Sequence, residues 1–441
     1  MLACMQRWKL LADGEVRNMK DKETEILRAY EGVEHWPPCT YRDYPDITPR
    51  NLQSFINFLG TENTSREKKE LQPWIPFCNS KCTFCYFPTE PFSKDGMERY
   101  LLALKKALKT YAETRYVRSS EFNEIYFGGG TPSLMTSEQI ADLLSCCERN
   151  FNISGDRMVK ITGCTYGLDK KKLESMADYG VDQLDLGIQT FDDDLRKIFD
   201  LQDYAGEAEQ TVKTARKLGP HVSIDLLYNL PGQTMEMWRK DIQKSIELNV
   251  ESVDCYPLEV YPGTTLAKQL QSGEVPSIGD SDTETKMYLE AYNMFAESGY
   301  KPTCHNRFSR IADDFKDPCF EILGTGAGFF MGHLGKYSYV DIEPANAYIS
   351  VVKSGRSPIV KLSLSSKEDE MRKMMMRLYT RLTVDKEEFR RRFGNLPEEV
   401  FRDAINRLKK KGLIEVDTRE IKLTKLGDVW RVNIAWEFAH A

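Results

Sequence analysis

The sequence predicts an α/β protein built on a partial (βα)6 barrel, with an N-terminal extension and a C-terminal winged-helix-like helical domain. Short apolar segments alternate with long amphipathic segments over residues 71–300. This alternation is typical of parallel strands joined by crossover helices. The apolar segments are too short and too evenly spread for a β-sandwich. With 441 residues, the chain is also too long for one ordinary core, so smaller domains should flank the barrel.

The barrel elements follow from the spacing of apolar residues. Residues 1–70 precede them as an irregular extension, in which Thr48 is expected to cap a helix that ends at Leu59 and has Pro49 in its first turn. The predicted strands cover residues 124–127, 158–162, 183–187, 222–227 and 252–258. The predicted helices cover residues 97–111, 137–150, 170–179, 192–198, 205–218 and 236–248.

Two regions follow the barrel. Residues 301–365 are rich in glycine and aromatic residues and are expected to connect the barrel to the C-terminal domain, residues 366–441. There, residues 400–411 carry an apolar stripe at helical spacing, and the next two short apolar runs are typical of a hairpin. Helix followed by hairpin is a winged-helix pattern. Its basic runs at 390–392 and 409–411 raise DNA binding as an alternative, but we expect a cap over the active site.

Composition limits the classes of function. Hydrophobic residues make up 41% of the chain and charged residues 29%, as in soluble globular proteins. A net charge of −6 gives no electrostatic reason to bind nucleic acid or an anionic membrane. No apolar run is long enough to span a bilayer, and charged residues interrupt the N-terminal apolar segment. We therefore expect a cytoplasmic, monomeric protein without a nucleic-acid partner or a membrane span.

Three of the eleven cysteines form a compact motif. Cys78, Cys82 and Cys85 have the spacing C-x3-C-x2-C, and thiolates suit both iron–sulfur clusters and zinc. A structural zinc site needs four ligands, and neither a second cysteine pair nor a nearby histidine supplies the fourth. Three thiolates on a 4Fe–4S cluster would leave one iron open to a ligand that carries an amine and a carboxylate. The other cysteines show no second cluster spacing, so we expect one cluster.

Further motifs occur in the order of a known family. After IPFCNSKCTFC come YFGGGTPS, GIQTF and IDLLYNLPGQT. In this order they resemble the radical S-adenosylmethionine (SAM) enzymes, and among these the HemN-like group, from about residue 71 to the C-terminus. The resemblance implies a 4Fe–4S cluster on the three cysteines, which are then both the metal ligands and the catalytic residues. It also implies SAM contacts by Phe84, Gly128, Gly129, Gly130, Thr131, Gln189 and Asp225.

The resemblance also implies the chemistry. With an electron from a donor such as flavodoxin or ferredoxin, the bound cluster and SAM supply a 5′-deoxyadenosyl radical that abstracts hydrogen. The group includes oxygen-independent coproporphyrinogen III oxidases, anaerobic heme-degrading enzymes, HemW-type heme chaperones and class C radical SAM methyltransferases. Class C relatives are thought to use two SAM molecules, so one or two are expected. Porphyrinogen or heme chemistry and a non-catalytic chaperone both stay open as alternatives.

Departures from the group's pattern bear on the reaction. Gln72 and Trp74 stand where relatives carry Tyr and His, and Tyr86 replaces the glycine of the oxidases' Cys-Gly-Cys. Thr162 and Leu201 stand where many relatives carry Glu and Arg. These differences disfavour coproporphyrinogen decarboxylation. We therefore expect methyl transfer to an sp2 carbon of a conjugated ring substrate, with a tetrapyrrole among the candidates.

Overall fold

The computed structural model describes residues 29–30, 33–34, 44–304, 306–311 and 320–441, so much of the predicted N-terminal extension lies outside the described residues. The strands are β1 (Lys69–Ile75), β2 (Phe77–Cys78), β3 (Glu90–Pro91), β4 (Phe122–Gly129), β5 (Ile153–Gly163), β6 (Gln183–Gln189), β7 (His221–Tyr228), β8 (Ser252–Pro257), β9 (Lys301–Pro302), β10 (Arg307–Ser309), β11 (Glu321–Thr325), β12 (Gly332–Leu334), β13 (Tyr337–Asp341), β14 (Ile359–Leu364), β15 (Thr383–Asp385), β16 (Ile414–Val416) and β17 (Glu420–Leu423). The helices are α1 (Pro49–Leu59), α2 (Lys94–Ala112), α3 (Arg115–Arg118), α4 (Ser137–Asn150), α5 (Lys170–Asp178), α6 (Asp193–Ile198), α7 (Ala205–Leu218), α8 (Met235–Leu248), α9 (Thr265–Ser272), α10 (Ser281–Glu297), α11 (Ala345–Lys353), α12 (Lys367–Met375), α13 (Arg377–Arg381), α14 (Lys386–Phe393), α15 (Pro397–Val400), α16 (Arg402–Lys410), α17 (Lys425–Val429) and α18 (Arg431–Ala439).

One sheet of twelve strands forms the barrel wall, in the order β14-β13-β12-β11-β1-β4-β5-β6-β7-β8-β10-β9. The six strands from β1 through β8 in this order are parallel neighbours, as the alternating pattern predicts. All five predicted barrel strands and all six predicted helices are confirmed, most with slightly wider bounds. The active edge of such a sheet is the carboxyl end of its strands, where the connecting loops meet.

Strand β1 has no counterpart in the sequence-based prediction. All seven of its residues are buried, yet Glu70, Gln72 and Pro73 interrupt its apolar pattern. It pairs in parallel with β4 on one side and with β11 on the other. Because both neighbours are distant in the sequence, local periodicity contains no signal for this central strand.

Residues 301–365 are corrected from a connecting region to a part of the barrel sheet. They contribute the six strands β9 to β14. The glycines in this segment permit close packing: a Cβ on Gly324 would lie 2.6 Å from a ring atom of Phe329 and 2.7 Å from the carbonyl oxygen of Gln72. A glycine-rich pattern that resembles a loop is here a buried strand.

The N-terminal helix α1 begins as predicted. The Thr48 hydroxyl accepts a hydrogen bond from the Asn51 N–H, the Asn51 side chain binds back to the Thr48 N–H, and Pro49 occupies the first turn. Phe55 is buried against Tyr337 and Tyr339 of β13, with ring centroids 5.2 and 5.7 Å away. This part of the extension therefore belongs to the main core.

The C-terminal domain has its own small core and a three-stranded sheet in the order β15-β17-β16. The hairpin of β16 and β17 is confirmed. The predicted helix over 400–411 is divided, because Phe401 leaves the helical conformation and separates α15 from α16. No helix among the described residues is long and apolar enough to cross a membrane.

The position of the C-terminal domain corrects the expectation of a cap. Tyr288 on the flanking helix α10 donates a hydrogen bond to Asp428 (3.0 Å). Arg392 forms an ion pair with Glu67, which precedes the amino end of β1. The cysteine loop follows the carboxyl end of the same strand. These contacts place the domain against the base and flank of the barrel, away from the cysteine loop.

We expect this domain not to bind duplex DNA tightly. Part of its basic charge is already engaged, since Arg407 pairs with Glu437 and Arg392 pairs with Glu67 and Glu388. Fluorescence polarisation with a labelled duplex should show weak binding that is unchanged when Lys409 and Lys410 are replaced by Glu. Tight binding, with an association constant whose logarithm falls steeply as the logarithm of the salt concentration rises, would contradict this expectation.

Candidate functional site

The three motif cysteines lie in one short loop beyond the carboxyl end of β1. Cys78 ends β2, which pairs with β3 and closes the loop at its base. Within the loop the Cys85 N–H donates to the Cys82 carbonyl (3.0 Å). Thr83 fastens the loop to the rim of the barrel, because its N–H donates to the Phe199 carbonyl (3.2 Å) and its carbonyl accepts from the Leu266 N–H (2.9 Å). Backbone contacts thus hold the three thiols on one edge of the barrel.

The surroundings of the thiols suit a positively charged metal group. Burial, together with the neighbouring Cys85 and Cys78, raises the pKa of Cys82 to about 12. Burial also raises the pKa of Cys78 and of Cys85, and the Thr131 hydroxyl, which donates to the Cys78 sulfur (3.3 Å), opposes the change at Cys78. Three thiolates are stable here only beside a compensating cation.

The spacing of potential ligands distinguishes a cluster from a single ion. Within the part of the chain that the structure describes, no three His, Cys, Asp or Glu side chains converge closely enough to hold one metal ion. A structural zinc site needs such convergence, whereas the thiolates of a 4Fe–4S cluster each bind a different iron. The donor set therefore fits a 4Fe–4S cluster held by Cys78, Cys82 and Cys85.

The segment Gly128–Thr131 packs directly against the cysteine loop. The Gly130 N–H donates to the Ile75 carbonyl (2.7 Å) and the Thr131 N–H donates to the Phe77 carbonyl (2.8 Å). Gly129 has φ +127, and a Cβ there would overlap the Ile75 backbone. A Cβ on Gly130 would lie 2.9 Å from the Cys78 sulfur. Glycine at these two positions is what allows the strand end to approach the loop.

The other two SAM-site candidates lie on neighbouring strands. Gln189 ends β6 with φ 68, and its side chain folds over Gly187, where an added Cβ would be 2.7 Å from the Gln189 amide nitrogen. Asp225 on β7 is the register partner of Gly187. Both residues are half-buried. The structure thus brings together two residues that the sequence places in separate motifs.

Asp225 belongs to a group of carboxylates that the sequence analysis missed. Burial raises the pKa of Asp225 well above its usual range, and Asp254 and Asp185 raise it further, while Arg307 opposes them. Arg307 donates to both carboxylate oxygens of Asp254, at 2.9 Å from Nε and 2.7 Å from Nη2. The alternation of polar residues along β6 to β8 could have indicated the aspartates. Arg307 lies outside every motif and gave no signal.

Phe84 occupies the rim. Its ring packs edge-on against Phe199 at 5.1 Å between centroids, within an apolar group that also contains Leu201. Other aromatic rings line the loop: Tyr86 lies 4.1 Å from Tyr261 and 4.6 Å from Phe87. Trp74 lies 5.6 Å from Phe330 and extends this surface towards β1. The mouth of the barrel therefore presents an aromatic wall beside the cysteines.

The residues that depart from the group's pattern differ in their surroundings. The Thr162 hydroxyl shares a hydrogen bond with the Tyr126 hydroxyl inside the barrel, whereas Leu201 packs at the rim. Gln72 is fully buried, and among the described residues neither its amide nitrogen nor its amide oxygen has a hydrogen-bond partner. The Trp74 indole N–H likewise finds no acceptor within the part of the chain that the structure describes. A Cβ on Gly128 would lie 3.0 Å from the Gln72 amide nitrogen and 3.1 Å from a ring atom of Trp74. The Gln72 and Trp74 side chains therefore both pack over Gly128.

Comparison with known proteins agrees with this geometry. The model of the radical SAM superfamily matches residues 73–244, and the model of the HemN C-terminal domain matches residues 364–430. These two matches support the resemblance to the HemN-like group of the radical SAM superfamily. The expected fold class, a radical SAM barrel with a C-terminal helical domain, is confirmed.

Relatives within the superfamily carry different functions. Anaerobilin synthase of Escherichia coli O157:H7 is 26% identical over 324 residues, which cover 70% of this chain and 69% of the relative. The heme chaperone HemW of Bacillus subtilis is 26% identical over 362 residues, which cover 80% of this chain and 94% of HemW. The structure of coproporphyrinogen III oxidase (HemN) from Escherichia coli superposes with a TM-score of 0.80 at 19% identity, covering 94% of this chain and 97% of that one. At this identity the superposition shows the shared fold.

Proposed function

We propose that this protein transfers a methyl group from SAM to an sp2 carbon of a conjugated ring substrate, using one or two SAM molecules. The observation that carries the radical part of the proposal is the packing of Gly130 against Cys78, which places a glycine-lined backbone edge beside the three thiols. When bound, the cluster and SAM supply a 5′-deoxyadenosyl radical. The protein's own residues bind, orient and exclude water.

Two observations support a planar, conjugated substrate. Tyr86, Phe87 and Phe330 lie beside the cysteine loop, with the buried Trp74 packed against Phe87 and Phe330, and aromatic side chains suit flat ligands. The two sequence relatives described above are named for heme and for anaerobilin. That similarity favours a tetrapyrrole as the second candidate substrate, with decarboxylation or anaerobic ring opening as the reaction, or heme binding without catalysis as in a chaperone.

The preference for methyl transfer depends on residues that the porphyrinogen oxidases carry and this chain lacks. Tyr86 fills the position of the oxidases' Cys-Gly-Cys glycine and stacks on Phe87, while Thr162 leaves no carboxylate at the end of β5. We also infer a cytoplasmic monomer that receives its electron from a small redox protein such as flavodoxin or ferredoxin. The mildly acidic charge of −6 argues against a nucleic-acid substrate.

A labelled methyl group tests the proposal. The anaerobically reconstituted protein is reduced with dithionite and incubated with SAM that carries a trideuterated methyl group, together with candidate aromatic heterocycles and tetrapyrroles. We expect 5′-deoxyadenosine and a product that contains deuterium. The matched control is Cys82→Ala, which should form neither.

Two results would contradict the proposal in different ways. A decarboxylated or ring-opened tetrapyrrole without deuterium, formed together with methionine and 5′-deoxyadenosine, would establish the second candidate reaction. A protein that carries a full cluster but forms no 5′-deoxyadenosine with any of these compounds, and binds heme, would establish the chaperone.

A further inference from the structure

The turn that follows β6 holds a residue in an unfavourable conformation. Gln189 has φ 68, in the left-handed region that side chains other than glycine rarely adopt. The pairing of β6 with β7 is irregular at the same point, between Gly187 and Gln189. Such a conformation persists only when neighbouring contacts hold it in place.

A buried carboxylate on another element holds one side of this turn. Asp241, on helix α8, is 2% exposed. One of its oxygens accepts from the Phe191 N–H at 2.7 Å, and the other accepts from the Thr190 hydroxyl at 2.9 Å. The second oxygen also accepts from the Gln233 amide at 3.4 Å. Asp241 thereby links the turn after β6 to the turn that follows β7, which contains Gly232 and Gln233.

A buried guanidinium holds the other side. Arg196 Nη1 donates to the Ile188 carbonyl at 2.9 Å and to the Thr190 carbonyl at 3.0 Å. The two backbone carbonyls that flank Gln189 are therefore bonded to Arg196, and the next N–H is bonded to Asp241. Arg196 and Asp241 thus bond to the backbone on both sides of Gln189, where the Thr190 N–H also donates to the Ile188 carbonyl at 2.9 Å.

We propose that Asp241 is a positioning residue that holds Gln189 in its left-handed conformation and so directs the Gln189 amide towards bound SAM. This inference rests on the proposed function and on the resemblance, which implies that Gln189 contacts SAM. Asp241 acts through the Thr190 hydroxyl and the Phe191 N–H and does not itself contact SAM.

The ionisation of Asp241 provides a readout that a passive packing role would not give. Burial raises the pKa of Asp241 to about 7, and the bonds from Phe191 and Thr190 oppose this rise. The charged or titratable groups that interact electrostatically with Asp241 are Asp192, Arg196 and, on β8, Cys255. The ionised carboxylate accepts all three hydrogen bonds, whereas protonation removes acceptor capacity. SAM affinity should therefore weaken as pH falls through about 7.

The test measures the dissociation constant of SAM by equilibrium dialysis with the reconstituted holoprotein. Asp241→Ala and Thr190→Val should each weaken SAM binding about tenfold, because each removes a buried hydrogen bond to a charged group. Asp241→Asn keeps an acceptor for the Phe191 N–H and should stay within about threefold of the unmodified protein. It should also lose the change in affinity between about pH 6 and about pH 8.

The matched control is Ser245→Ala. Ser245 lies on the same helix, is fully buried and donates to the Asp241 carbonyl at 2.9 Å, without touching the turn. This variant should keep the SAM affinity and its pH dependence. Iron content, measured in every variant, reports whether the cluster and fold are intact.

Unchanged SAM affinity in iron-replete Asp241→Ala and Thr190→Val would overturn the inference. If Asp241→Ala does not fold, Thr190→Val alone decides, since it removes one hydroxyl and preserves the side-chain shape. Absence of SAM binding to the unmodified holoprotein would instead overturn the proposed function, and the inference with it. The two failures are therefore distinguishable.

Discussion

Replacement of Cys78, Cys82 and Cys85 together by alanine is expected to abolish the iron–sulfur absorbance of the anaerobically reconstituted protein. Iron content should fall from about four atoms per chain to none, because a 4Fe–4S cluster is held by cysteine thiolates and this site has no replacement donors of that kind in the same loop. Ultraviolet–visible spectra and iron analysis give the measurement. Retention of a full cluster in the triple variant would refute the assignment.

The triple variant should still fold. All three cysteines are half-buried residues, and backbone hydrogen bonds hold the loop independently of the sulfur atoms. Circular dichroism should therefore match that of the unmodified protein before reconstitution. The matched control is Cys146→Ala: Cys146 is 1% exposed on α4, outside the motif, and this variant should keep the full iron content.

Replacement of Gly129 by alanine is expected to produce the second large effect. The backbone of Gly129 has φ +127, and an added Cβ would lie 2.8 Å from the Ile75 carbonyl carbon and backbone nitrogen. Both neighbours are backbone atoms of a buried central strand and cannot turn away. We expect the free energy of unfolding to fall by about 2–4 kcal/mol, the combined cost of the strained conformation and the overlap.

Urea unfolding of the cluster-free protein measures this change. The control is Gly155→Ala, also in a barrel strand, where the added Cβ has no atom within 4 Å. The control should unfold within about 1 kcal/mol of the unmodified protein, or at a slightly higher urea concentration, since alanine is favoured over an unstrained glycine inside a strand. Equal free energies of unfolding for the two variants would show that position 129 does not require glycine.

Much of the barrel could be predicted because its signal is local. The apolar segments that become β4 to β8 are bounded by breakers and alternate with helices whose apolar faces recur at helical spacing. The helix cap at Thr48 is local too, as its partners lie within three residues. Strand β1 lacked such a signal. It is buried because it pairs with residues 124–129 and 321–325, and the polar residues Glu70 and Gln72 interrupt the apolar pattern expected of a buried strand.

The C-terminal half shows the same limit at the level of domains. The glycine and aromatic content of residues 301–365 predicted a connecting region. In the structure this segment forms strands that extend the sheet on both sides, and β11 pairs with β1. The internal pattern of the C-terminal domain was readable as helix and hairpin. Its position against Glu67 and Tyr288 could not be predicted, because that position depends on side chains from segments far apart in the sequence.

By itself, the sequence predicted the donor set and the family resemblance. A cysteine spacing and an ordered series of short motifs are properties of neighbouring residues, and chemistry restricts which metal groups three close thiolates can hold. Only the tertiary structure decided the surroundings of those motifs: Arg307 beside Asp254, and Asp241 behind the turn at Gln189. These contacts join different strands and helices, and chain folding alone brings them within hydrogen-bond distance.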